Sequence, residues 1–373
     1  MIGTDHRIDI ETLSDDECRA KGLRSLLIGN CGDPWLGVAL PDVIKQLTCI
    51  RSLNLSGSSI EEIPKEVGKL IHLRHLNLQL CSKLVSLPET MCDLCNLQSL
   101  DVRGCDSLNE LPLAIVTLIE LRHLRIAGSG VAFMPKGIER LTCLRTLDWF
   151  IVCGGGENES KAANLRELKN LNHIGGSLEI RNLQRGDIED VAEAQLKNKK
   201  RLLCLELHFD LNHEDDNLIE VLQPPSDLER LIIWKNGGIG LPNWMMALTR
   251  LQDLELSDCG NLEVLPPLGR LPNLEILRLE GVGVRRLDAG FLGIEEVENA
   301  NNINEGEIAR VTAFPKLKSL RISGVEEWDG IERRVGEEDA TTTSIFIIMP
   351  QLQYLTIYNC RLLRALPDYV LAA

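Results

Sequence analysis

Residues 87–105 read LPETMCDLCNLQSLDVRGC and bring three cysteines close together. Cys92 and Cys95 have the C-x-x-C spacing of a zinc knuckle or a redox pair. A structural zinc site takes four ligands, and His72 and His75 are the nearby candidates to complete it. The remaining motifs that could do chemistry fall short of their templates. HEDD at 213–216 lacks the second histidine of H-E-x-x-H, no G-x-S-x-G occurs, and GGGENESK at 154–161 lacks the spacing of a phosphate-binding loop. Whether the cysteines are ligands depends on the leucines that surround them.

Those leucines repeat. IRSLNLSGSSIEEIPKEVGKL from Ile50, LRHLNLQLCSKLVSLPETMCDL from Leu73, LQSLDVRGCDSLNELPLAIVTL from Leu97 and LRHLRIAGSGVAFMPKGIERL from Leu121 follow one pattern. It is L-x-x-L-x-L-x-x-[C/S], an aliphatic, an aliphatic-Pro pair, then two spaced aliphatics. Leu53, Leu76, Leu100, Leu124 and Leu147 fall 23 or 24 residues apart, inside the 20–29 range of leucine-rich repeats. The register opens at Leu23, Leu26, Ile28 and Cys31, and returns at Leu251, Leu254, Leu256 and Cys259. It continues through Leu274/Leu277/Leu279, Leu317/Leu320/Ile322 and Leu352/Leu355/Ile357, with degenerate turns around Leu178/Ile180, Leu205/Leu207 and Leu231/Ile233, for thirteen expected strands.

In L-x-L both leucines point to one side of a strand, and the aliphatic-Pro pair closes the strand's neighbourhood because proline lacks a donor. About six buried aliphatics per turn, at about 1.5–3 kcal/mol each, do not offset the ordering of some 23 backbones at about 1–2 kcal/mol apiece. A turn therefore folds only when stacked. The expected fold is an α/β leucine-rich-repeat solenoid, a curved horseshoe with a parallel sheet on its concave face and irregular or short helical convex segments.

Within that repeat Cys31, Cys81, Cys105, Cys259 and Cys360 share one place, which Ser58 and Ser129 fill elsewhere. A small polar side chain there serves the carbonyls of the bend. Cys95, like Cys49 and Cys143, sits just ahead of a strand, so Cys92 alone lacks a repeat counterpart. The cluster reads as structural, with no metal and no cofactor.

The chain divides into a lead-in over 1–22, a regular block over 23–149, an interrupted region over 150–201 and an irregular block over 202–373. Leu165, Leu168 and Leu171 form a short helical stripe, and 184–201 reads as a helix with a basic end. Two acidic or Thr-rich insertions, 288–312 and 329–345, are expected to loop out. Neither end carries a polar cap, so a piece of something longer is expected.

At 373 residues, 44% hydrophobic but 4% aromatic, the chain has material for a long aliphatic core. A net charge of −15 argues against nucleic-acid or anionic-membrane partners. No apolar run approaches the roughly 20 residues of a membrane span, and the first residues lack a signal peptide's apolar core. The expectation is a cytoplasmic protein with reduced thiols.

The repeats, the interrupting GGSLEIRNLQRGDIEDVAEAQLKNKKRLLCLEL, the later LQPPSDLERLIIWKNGGIGLPNW and DCGNLEVLPPLGRLPNLEILRLEGVGVRRL before AFPKLKSLRI carry a specific resemblance. Over roughly residues 20–370 the chain resembles the C-terminal region of plant nucleotide-binding leucine-rich-repeat disease-resistance proteins of the coiled-coil class. The resemblance implies recognition of a pathogen effector or a guarded host protein, and contact with the nucleotide-binding module of a fuller receptor. The phosphate-binding loop of that module is absent from this sequence. A generic intracellular adaptor with the same fold is the alternative.

A partner would meet the residues that project between the strand leucines. Arg51, Arg74, His75, Arg103, Arg122, His123, Arg125 and Arg145 make the early turns basic. Glu206, Glu229, Glu255, Asp258, Glu275 and Glu280 make the later ones acidic, with Arg278 and Arg321 among them. Phe150, Trp234 and Tyr358 are expected outward as anchors, and Trp149 inward as core. Plain solubilisation of an exposed sheet is the competing account of the charges.

Overall fold

The computed structural model describes residues 22–29, 35–153, 155–183, 188–209, 218–294, 310–329 and 345–371. Cys31, the lead-in up to residue 21 and most of both insertions lie outside the described residues. The chain forms two compact units, Met1–Ala163 and Asn164–Ala373, each a run of stacked turns.

The first unit lays strands Ser25–Leu27, Ser52–Asn54, His75–Asn77, Ser99–Asp101, His123–Arg125 and Thr146–Leu147 side by side in chain order. All pairings are parallel, and Leu26, Leu53, Leu76, Leu100, Leu124 and Leu147 stand in one register. Leu53 to Leu147 are each at most 1% exposed, so the repeat spacing becomes a continuous buried column. In the second unit Leu178, Leu205, Leu231, Leu254, Leu277, Leu320 and Leu355 align in the same way. Ile180, Leu207, Ile233, Leu256, Leu279, Ile322 and Ile357 form the second column. Each of the thirteen expected strand positions carries a strand.

The layer behind the first sheet corrects the reading of the aliphatic-Pro pair. Pro64, Pro88 and Pro112 open 3-10 helices Lys65–Lys69, Glu89–Asp93 and Leu113–Thr117. Each proline carbonyl accepts from the residue three on, at 3.0, 2.9 and 3.0 Å. Proline suits this place because its fixed φ enters a helix and its missing N–H leaves no unmet donor. The first described turn instead carries an α-helix, Trp35–Gln46. There Leu40, Val43, Ile44 and Leu47 are buried, the i, i+3, i+4, i+7 stripe of a helix seated on a core.

The segment after the regular block keeps its expected helical stripe. Leu165–Asn170 is a 3-10 helix that buries Leu165 and Leu168. The expected helix over 184–201 is broken: Ile188–Glu193 is helical, Gln195 turns left-handed at φ 48°, and Leu196–Asn198 follows as a 3-10 turn. The middles of the two insertions, where looping out was expected, lie outside the described residues, and their described edges are ordered. Asp288 caps helix Ala289–Leu292 by accepting from Phe291 N–H at 3.0 Å, and Phe291 packs on Phe314 with ring centres 5.0 Å apart. Arg310–Ala313 pairs in parallel with Ile345–Ile348.

One cation lies wholly inside the second unit. Lys199 is 0% exposed, and its Nζ donates to the carbonyls of Leu168 at 2.7 Å and Leu171 at 3.3 Å. These carbonyls end the 3-10 helix and each already accepts one backbone N–H, from Leu171 at 3.0 Å and Ile174 at 3.4 Å, so the lysine adds a second donor to both from the next turn. Burial pulls its pKa down to about 8.

Two outcomes follow for stability. Leu100→Ala empties a fully enclosed site and should cost about 2–5 kcal/mol in urea unfolding. Below pH 8 Lys199 is protonated in both folded and unfolded chains, so it adds no pH dependence. Between pH 8 and its ordinary pKa of 10.5 the unfolded chain holds the extra proton, and stability rises with pH. The stability difference between wild type and Lys199→Met should therefore move in favour of wild type as pH rises from 8 to 10.

Candidate protein-binding surface

The cysteines resolve first. Cys81 Sγ donates to Leu55 O at 3.2 Å and lies 3.4 Å from Ser58 Oγ, and Cys105 Sγ donates to Leu78 O at 3.0 Å. Each thiol thus serves a strand-end carbonyl of the preceding turn, as the repeat position implied. The neighbouring Cys81 sulfur and then burial hold the Cys105 thiol far above the ordinary range. Cys92 does have counterparts: with Met91 it is the buried pair of its 3-10 helix, as Val67 with Gly68 and Ile115 with Val116 are of theirs. The motif repeats in space though not in residue type. At Gly68 a Cβ would come within 2.3 Å of Thr90 O, which shows how tightly that column stacks. Burial, then Glu89 and Asp93, push the Cys92 thiol up to about 12. Cys95 is exposed, one place earlier in the repeat than Cys49 and Cys143. The C-x-x-C spacing therefore points one thiol inward and the other out.

On the first unit's sheet the side chains between the leucines form rows. Arg24, Arg51, Arg74, Gln98, Arg122 and Arg145 occupy one position immediately before each strand. Their backbones join in a single chain: each N–H from Arg51 to Arg145 donates to the carbonyl of the previous member at 2.7–2.8 Å. His75 and His123 belong to the next row, where His123 Nδ1 lies 3.0 Å from Thr146 Oγ1. A third row holds Asn54, Asn77, Asp101, Arg125 and Asp148. In it Asn54 and Asn77 accept the N–H two residues on, both at 2.9 Å, and Asp101 accepts the same bond from Arg103.

Among the described residues Arg51, Arg74, Arg122, Arg125 and Arg145 have no ion-pair partner. Neighbouring strands stand about 4.8 Å apart, where two like charges repel by about 1 kcal/mol even in bulk water. His123 registers this field: burial first, then Arg125, Arg145, His75 and Arg122, lower its pKa. Arg103 departs from the expected set. It lies beyond the strand end and folds back on Asp101, Nε to Oδ1 at 2.9 Å and Nη2 to Oδ2 at 2.7 Å.

The aromatic expectations at 149 and 150 are reversed: Phe150 is 0% exposed and Trp149 is half-buried. Asp148 is the cause. Its carboxylate accepts from Ile126 N–H at 2.8 Å, Ala127 N–H at 3.3 Å and Trp149 N–H at 3.0 Å. In regular turns a backbone carbonyl fills that role, as Asn77 O does for Leu55 and Arg125 O for Val102. The strand breaks at 148 and resumes at Trp149–Ile151, and a one-residue slip exchanges inward and outward faces.

The second unit qualifies the picture of an acidic half, because Glu255, Glu275 and Glu280, three of the six acids expected there, are paired across strands. Arg278 Nη1 reaches Asp253 Oδ1 at 2.7 Å and Glu255 Oε2 at 3.4 Å, and Arg230 lies 3.5 Å from Asp253. Lys318 meets Glu275 at 2.7 Å and Arg321 meets Glu280 at 3.2 Å. Tyr358 is half-buried beside them, its phenol pushed up by burial and then Glu280. Trp234 stacks on His208 with ring centres 5.7 Å apart. Glu179, Glu206 and His208 gather ligand-type atoms within 4.8 Å, but Arg181 already holds Glu179 at 2.7 Å. His208 Nε2 lies 3.3 Å from Glu179 and 3.8 Å from Glu206. Sequence reading missed Arg24, which its place two residues before Leu26 signalled, and His208, which follows Leu207 as Trp234 follows Ile233.

Stacked parallel strands with one leucine column, backed by proline-led 3-10 turns, define a leucine-rich-repeat solenoid. A family model described as a leucine-rich repeat region matches residues 64–358, and the chain belongs to that family. Two Solanum bulbocastanum proteins are similar to it. Putative disease resistance protein RGA1 is 46% identical over 209 residues, and Putative disease resistance protein RGA4 is 36% identical over 227. These alignments cover 55% and 59% of this chain, and 21% and 22% of the relatives. The chain thus spans about a fifth of the relatives it matches. Among solved structures, a leucine-rich-repeat protein of Leptospira interrogans, LIC12759, superposes with TM-score 0.59 at 21% identity, over 93% of this chain and 81% of that one. The PEPR1–AtPEP1 structure gives 0.51 at 18%, over 85% and 43%. At these identities the likeness is one of fold.

Thiol labelling tests the cysteine placement. With iodoacetamide at pH 7.5, Cys49, Cys95 and Cys143 should be modified in the folded chain. Cys81, Cys92, Cys105 and Cys259 should stay protected until denaturant is added, as read by peptide mass spectrometry.

Proposed function

We propose that this chain is the protein-recognition module of a plant intracellular immune receptor. In this reading it binds pathogen-derived proteins or the host proteins they target, acts in the cytoplasm, and contacts the nucleotide-binding module of a fuller receptor. The observation that carries the reading is the match to resistance-protein relatives along a chain whose strands hold exposed side chains in fixed rows. Leucine-rich repeats of this kind are generally non-catalytic interaction modules, and such rows suit a broad protein surface better than a small substrate.

Trp234 and Tyr358 offer aromatic area beside the polar side chains of Glu255, Arg278 and Arg321, the composition of an interface core with its rim. Among the described residues no helix is long and apolar enough to cross a membrane.

The test is proximity labelling in plant tissue with the chain as bait. Wild type should label a defined protein set, and a Trp234→Ala/Tyr358→Ala variant of unchanged thermal stability should lose part of it. A set identical to that of an unrelated leucine-rich-repeat bait would remove the reading. A nucleotide-binding region encoded upstream in the same transcript would favour the receptor over a free-standing adaptor.

A further inference from the structure

We propose that Glu179, Glu206 and His208 on the second unit's sheet form a site for a divalent transition ion of the zinc type, held by two carboxylates and one imidazole. The three side chains project from the adjacent strands Gly175–Arg181 and Arg201–His208. Glu179 stands directly opposite Glu206, and His208 lies two residues further along the same face.

Three observations carry it. The first is separation. Two donor atoms bound to one tetrahedral ion at about 2.0–2.1 Å stand about 3.3 Å from each other. His208 Nε2 lies 3.3 Å from Glu179 Oε1 and 3.8 Å from Glu206 Oε2, and one donor atom from each of the three falls within 4.8 Å of the others. A charged hydrogen bond between imidazolium and carboxylate would close to about 2.7–2.9 Å, so these gaps suit an ion among the groups better than a direct pair. The second is an unmet atom. His208 Nε2 is buried and makes no hydrogen bond, while its ring is held against Trp234 with centres 5.7 Å apart and planes 15° apart. Turning the nitrogen to water would give up that stack. The third is charge. Like charges directly opposite on adjacent strands destabilise a sheet. Glu206 has no arginine or lysine partner among the described residues, whereas Glu255, Glu275 and Glu280 further along the sheet each have one.

Arg181 supplies the outer shell. Its Nε donates to Glu179 Oε1 at 2.7 Å, the kind of second bond that orients a metal-bound carboxylate. A carboxylate has lone pairs enough for both the guanidinium and the ion. The donor set selects the metal: imidazole beside carboxylates suits zinc and its first-row neighbours, whereas magnesium and calcium take oxygen ligands. Three protein ligands leave one tetrahedral position for water. Bound there, the ion ties the two strands together on their outward face, offsets the opposed glutamates and fixes the imidazole on which Trp234 stacks.

The experiment titrates zinc into the whole chain by isothermal calorimetry. Accessible thiols are first alkylated with iodoacetamide, so that exposed cysteines such as Cys49, Cys95 and Cys143 cannot take the metal. Wild type should bind a single equivalent, and zinc should raise its melting temperature. Glu206→Gln and His208→Ala should each weaken binding about tenfold or more and lose the thermal shift. The glutamine variant keeps the shape of the side chain and guards against misfolding of the histidine variant. Cobalt should occupy the same site and give a visible spectrum without an intense near-ultraviolet thiolate band. No saturable binding by wild type, unchanged binding by both variants, a thiolate band with cobalt, or tighter binding of magnesium or calcium than of zinc would each overturn the proposal.

Discussion

Every turn of this protein depends on its neighbours to bury its leucines. The columns through Leu53, Leu76, Leu100, Leu124 and Leu147, and through Leu205, Leu231, Leu254 and Leu277, are closed to water only because adjacent turns cover them. The apolar area of a single turn is too small to offset the ordering of its backbone. Stability therefore accrues by stacking. That requirement imposes a common strand register, and the register in turn sets every other position of the repeat.

Polar groups of the bends are handled by the same column logic. The thiols of Cys81 and Cys105 each take a carbonyl of the preceding turn, and Asn54 and Asn77 close their own bends. Lys199 caps two carbonyls from within the core. Asp148 shows what happens when a side chain substitutes for a backbone acceptor. The bonds of Ile126 and Ala127 are kept, but the strand slips by one residue and Phe150 exchanges places with Trp149. Buried backbone groups must be paired, so local sequence variation is absorbed by moving the register and not by leaving a donor unmet.

The two units manage surface charge differently. In the second, arginines and lysines on one strand meet carboxylates on the next. In the first, an uncompensated basic row stands beside histidines and small polar residues. Composition alone shows a basic early half and an acidic later half of equal standing. Pairing across strands occupies Glu255, Glu275 and Glu280 and leaves the basic row open.

The fold was legible in the sequence because its cause is periodic. A leucine every 23 or 24 residues reports the stacked column directly, and all of the expected strands form. The small residue at the cysteine position was legible for the same reason. Two features escaped. The counterpart of Cys92 does not repeat in residue type, since Cys92, Gly68 and Val116 share a place only in space. Pro64, Pro88 and Pro112 do repeat, but a proline fits the end of a strand and the start of a helix alike. The candidate surface was half legible. Sequence named Arg74, Arg122, Arg145, Trp234, Arg278 and Tyr358 as outward, because alternation along a strand is local geometry. It could not decide that Phe150 turns inward, that Arg103 is tied to Asp101, or that Glu255 is already occupied by Arg278. The turn of Phe150 and the pairing of Glu255 depend on contacts between residues 20 or more apart that only the stacked structure brings together, and the Arg103–Asp101 pair on a side-chain conformation that residue type does not fix.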